Sequence, residues 1–126
     1  MKRDMDLIRS ILLKVEESKR PWCEGIMEVA GYELGAVTYH LRLLIQAGYI
    51  TALELPDSNT EYGYLLQDAQ MTWLGHEFLE QVRDPEIWRR TKDGAEKVGS
   101  WSFSFLGSLA KGLAKQKAAD LGFPIA

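Results

Sequence analysis

An α+β domain dominated by helices is what the sequence predicts. Three observations predict it. Five stretches carry apolar residues at helical spacing. Two runs rich in β-formers flank a turn cluster. The 126 residues are 46% hydrophobic, which is enough to fill a core, and 26% charged, an ordinary share for a soluble protein. The length fits one domain.

The first helix is expected from about Asp4 to Ser18, because Met5, Ile8, Leu12 and Val15 recur on one face with Ile11 beside them. Asp4 is placed to cap it, and Lys19 and Arg20 suit the negative end of the helix dipole. Pro21 closes it. Trp22 to Tyr32 is less regular. Gly25 and Gly31 leave little room for a short positioning helix, and the alternation through Met27, Glu28, Val29 and Ala30 favours an edge strand.

Glu33 to Ala47 is the strongest helical stretch. Val37, Leu41, Leu44 and Ile45 make its apolar face, and Gly48 supplies a left-handed stop. Tyr49 to Leu55 reads as a strand, Pro56-Asp57-Ser58-Asn59 as a turn, and Tyr62 to Leu66 as the returning strand. Thr72 then caps a helix whose apolar side is Trp73, Leu74, Phe78, Leu79 and Val82. Asp84-Pro85 breaks it, and Pro85 starts a short helix containing Ile87 and Trp88. Gly94 and Gly99 bracket a charged connection. A last helix runs from about Phe103 to Ala119, with Leu106, Leu109 and Leu113 inward.

The predicted order is helix, strand, helix, hairpin and then further helices. A helix followed by a hairpin is the winged-helix arrangement. Residues 1–100 are expected to hold this core and the helices after it. Residues 101–126 form a C-terminal helix, either part of the same domain or a dimerisation element.

Two stretches carry a resemblance. The run Val37-Thr38-Tyr39-His40-Leu41-Arg42-Leu43-Leu44-Ile45-Gln46-Ala47-Gly48-Tyr49-Ile50 resembles the recognition helix and first wing strand of bacterial winged-helix regulators. A wider set of blocks covers nearly the whole chain. These blocks are Met1-Lys2-Arg3-Asp4-Met5-Asp6-Leu7-Ile8-Arg9, Gly31-Tyr32 leading into Val37–Ile50, Met71-Thr72-Trp73-Leu74-Gly75-His76-Glu77-Phe78-Leu79, and Arg83-Asp84 through Ile87-Trp88. Their order resembles the bacterial and phage family called domain of unknown function 2513. The resemblance implies a winged-helix-like fold and no established activity. The chain departs from the family's usual pattern after Tyr32: a Ser-plus-acid helix start is expected there, and Glu33-Leu34-Gly35-Ala36 stands instead.

The chemistry-bearing residues point away from an enzyme. There are two histidines, and His76-Glu77 lacks the second His four residues later that a zinc helix needs, since Glu80 stands there. The single cysteine, Cys23, has no partner for an internal disulfide and reads as a structural thiol beside Trp22. No glycine-rich phosphate loop follows a strand. No cofactor and no metal are expected. His40 reads as a packing or hydrogen-bonding side chain. Trp73, Trp88, Trp101, Phe78, Phe103 and Phe105 read as core rather than as a stacking platform, because the strands are acidic.

Two binding functions remain. The leading expectation is a DNA-binding transcriptional regulator acting as a homodimer. On the Glu33–Ala47 helix, Gly35, Thr38, Tyr39, Arg42 and Gln46 should point outward, where Thr, Tyr, Arg and Gln can bond phosphates or base edges. Lys2, Arg3, Lys19 and Arg20 supply further positive charge. Duplex affinity comes largely from neutralised phosphates. Here the charge works against it: residues 51–70 hold four acids and no Lys or Arg. The alternative is a protein-interaction adaptor using its acidic wing or its last helix. On that helix, Leu106, Gly107, Ala110, Leu113 and Ala114 form a leucine stripe beside a line of small residues, a candidate dimer interface. No apolar run reaches the ~20 residues of a membrane span, and Asp4 and Asp6 interrupt any signal-like start, so a cytoplasmic location is expected.

Overall fold

The computed structural model describes residues 1–18, 27–56 and 64–124. The elements are α1 (Met5–Glu17), α2 (Leu34–Gln46), β1 (Ile50–Pro56), β2 (Tyr64–Met71), α3 (Trp73–Val82), α4 (Pro85–Val98) and α5 (Phe103–Asp120). The architecture is thus mostly helical with one two-stranded antiparallel sheet. It divides into two compact units, Met1–His76 and Glu77–Ala126; α3 begins in the first and ends in the second.

In the first unit, α1 buries Met5, Leu7, Ile8, Ile11, Leu12 and Val15. Asp4 caps it as expected: its carboxylate accepts from the Asp6 and Leu7 backbone N–H groups at 2.9 and 3.2 Å. α1 packs against α2, which buries Val37, His40, Leu41 and Leu44. Glu33 stands at the α2 N-cap and makes no side-chain cap bond there, in keeping with its poor fit to a capping role. Gly48, at φ +83°, turns the chain out of α2 and into β1.

β1 pairs with β2 from Ile50↔Met71 to Pro56↔Tyr64. Between Thr51 and Leu53 the register slips, because β2 uses three steps (Gln70 to Gln67) where β1 uses two. Asp68 sits in that interval at φ +56°, so it is the residue that absorbs the bulge. Ile50, Leu66 and Ala69 are buried. Thr72 then ties the end of the hairpin to the end of α2. Its hydroxyl donates to the Gly48 carbonyl at 2.6 Å, and its N–H donates to the Tyr49 carbonyl at 3.0 Å. Gly75 allows this approach: a Cβ there would fall on the Tyr49 carbonyl oxygen and the Met71 side chain.

In the second unit, Asp84 caps α4 by accepting from Glu86 and Ile87 N–H groups at 2.9 and 3.0 Å, and Pro85 fills the first helical position. α4 packs along α5. A Cβ on Gly94 would lie 2.5 Å from Leu109 Cδ2, so a glycine lets the two helices close. Phe78 and Phe103 meet edge to face at 4.8 Å.

Three expectations fail. Met27–Ala30 is not a strand: the Tyr32 N–H closes a turn onto the Val29 carbonyl at 3.1 Å, with Gly31 at φ +86°. The rest of the predicted strand, residues 22–26, lies outside the described residues. The helix after Pro85 is 14 residues long, not short; the charged connection bracketed by Gly94 and Gly99 is helical, and only Gly99, at φ +80°, ends it. Trp73 is not core but 77% exposed, and Leu74 beside it is 57% exposed. Both lie on the first turn of α3, whose buried face starts at Gly75 and continues through Phe78, Leu79 and Val82.

Candidate functional site

The surface that sequence reasoning singles out is the outer side of α2. Tyr39, Arg42 and Gln46 are exposed, while Gly35 and Thr38 are half-buried. The spacing of the buried set, Val37, Leu41 and Leu44, fixes this orientation. His40, on the inner side, is only 2% exposed. Its Nε2 accepts from the Asp4 backbone N–H at 2.8 Å, and its Nδ1 lies 2.7 Å from the Ala36 carbonyl. Because Nε2 accepts, Nδ1 must carry the proton and donate to Ala36. His40 therefore locks the start of α1 to the first half of α2 and offers nothing to a ligand. The Tyr32 hydroxyl is held above its ordinary range, first by burial and then by the Asp4 carboxylate, to which it hydrogen-bonds.

Arg42 is the one Lys or Arg within α2. Its guanidinium donates to the Glu54 carboxylate on β1 at 2.6 Å, with both side chains 45% exposed. A pair this open adds only about 0–1 kcal/mol to stability. Its effect on the surface potential is larger in kind: the helix's own positive charge is answered on the spot. The two residues are twelve apart in sequence, and only the hairpin's return past α2 brings them together.

Of the other candidate cations, Lys2 and Arg3 are exposed at the amino terminus. Lys19 and Arg20 lie outside the described residues, as does Cys23. The Met1–His76 unit holds seven Lys and Arg against eleven Asp and Glu, a net charge of −4. The Glu77–Ala126 unit holds eight against seven.

The C-terminal candidates separate. Leu106, Gly107 and Ala110 are buried in the chain's own fold, and a Cβ on Gly107 would lie 2.5 Å from Gln81 Oε1. These three residues are thus covered by the chain itself. Leu113 is half-buried, and Ala114 is exposed. The small residues serve helix packing within the unit.

Two surface features escaped the sequence reading. One is the exposed pair Trp73 and Leu74. The other is the outer face of the hairpin, where Leu53 and Leu55 are 56% and 41% exposed. Strand alternation places them on one side, with Glu54 turned the other way toward Arg42. The alternation was legible in Thr51–Leu55, but which face meets α2 was not. A shallow cleft of about 230 Å³ runs between the end of α1 and β2, lined by Val15, Glu16, Ser18, Gln70, Met71 and His76 among others.

The family described as "Hypothetical protein (DUF2513)" matches residues 2–102 of the chain. An uncharacterized protein of Haemophilus influenzae is 37% identical over 93 residues, which cover 73% of this chain and 76% of that protein. No solved structure matches. The chain belongs to the DUF2513 family, as the order of its sequence blocks implied.

Proposed function

We propose that this member of the family is a protein-interaction adaptor built on a winged-helix-like scaffold. The scaffold is supported by the order α1, α2 and an antiparallel hairpin that follows α2 directly. The observation that carries the functional reading is the Arg42–Glu54 pair. A duplex reader draws most of its affinity from cations placed against phosphates. Here the helix that would enter the groove has one cation, and a neighbouring carboxylate occupies it. The unit's net charge of −4 opposes the approach of a polyanion. Exposed Leu53, Leu55, Trp73 and Leu74 suit a protein surface better, since buried aromatic and apolar anchors dominate such interfaces.

The second reading is a DNA-binding transcriptional regulator. Exposed Tyr39 and Gln46 favour it, together with Lys2 and Arg3 at the amino terminus. One experiment separates the two: fluorescence anisotropy of a labelled random duplex, titrated with the wild type and with Glu54→Gln at low and at physiological salt. The adaptor reading expects no salt-dependent binding by the wild type. Micromolar binding at low salt that falls steeply with added salt overturns it in favour of the regulator. In that case Glu54→Gln, which removes a carboxylate beside Arg42, should bind more tightly still.

A further inference from the structure

We draw no further inference here: the strongest candidate, the apolar surface patch that Trp73 and Leu74 form on the first turn of α3, carries nothing because nothing among the described residues shows what covers it.

Discussion

Replacing His40 with Phe tests whether the first unit is held by a buried polar link as well as by apolar packing. Phe keeps a ring of similar size in a site that is 2% exposed, so the space is nearly conserved. What it removes is the pair of hydrogen bonds to the Asp4 N–H at 2.8 Å and the Ala36 carbonyl at 2.7 Å. The two losses are unequal. The Ala36 carbonyl still faces the helical ladder of α2, so its loss costs little. The Asp4 N–H loses its acceptor in a part-buried place, which costs about 1–3 kcal/mol. His40→Ala removes the ring as well and should cost roughly 3–5 kcal/mol, as emptied aromatic sites do. Urea unfolding followed by circular dichroism reads both, at unchanged denaturant slope. If His40→Phe lies within about 0.5 kcal/mol of wild type, the hydrogen-bonded link contributes nothing beyond packing and the reasoning fails.

Leu41→Ala empties a buried site on the same helix and should destabilise by roughly 2–5 kcal/mol in the same assay. Ala110→Glu places an unpaired carboxylate where the chain leaves no exposure, so it should unfold the second unit, whereas Ala114→Glu on the exposed side should leave the melting curve nearly unchanged. The Asp84 carboxyl is held below its ordinary value, first by the Ile87 N–H and further by Lys117 and the Glu86 N–H, against a smaller opposing effect of desolvation. A carboxyl whose folded value is depressed contributes stability that is present above the unfolded value, about 3.9, and lost as pH falls through the folded value. Asp84→Asn should therefore flatten the acid side of the stability–pH profile below about pH 4, and an unchanged slope there would contradict the capping role.

The fold was legible where one physical rule dominated. Helical spacing located α1, α2 and α5, and Asp4 and Thr72 were named as caps because a short oxygen-bearing side chain ahead of an apolar repeat has few other uses. The failures come from competing rules. Gly94 reads as a break by propensity, yet it lies mid-helix because Leu109 needs the space its missing Cβ leaves. Met27–Ala30 alternates like a strand, yet Gly31 turns the chain directly into α2. Trp73 reads as core from its bulk, but it precedes the residue, Gly75, where α3 first closes against Tyr49. At the candidate site the exposed side of α2 followed from spacing alone. The state of Arg42 did not, because Glu54 reaches it only through the return of the hairpin.

That pair changes what the α2 surface can be asked to do. Taken residue by residue, Tyr39, Arg42 and Gln46 are side chains that read nucleic acid well. Their chemistry matters only if the polyanion arrives, and arrival depends on the summed field rather than on hydrogen-bonding capacity. With Arg42 engaged by Glu54 and the Met1–His76 unit carrying a net charge of −4, the summed charge of this unit opposes that arrival. Electrostatics thus counts against the nucleic-acid reading of α2 whatever the hydrogen-bonding capacity of its side chains. For that reason the duplex titrations of the wild type and of Glu54→Gln should be run on matched preparations and at the same salt concentrations.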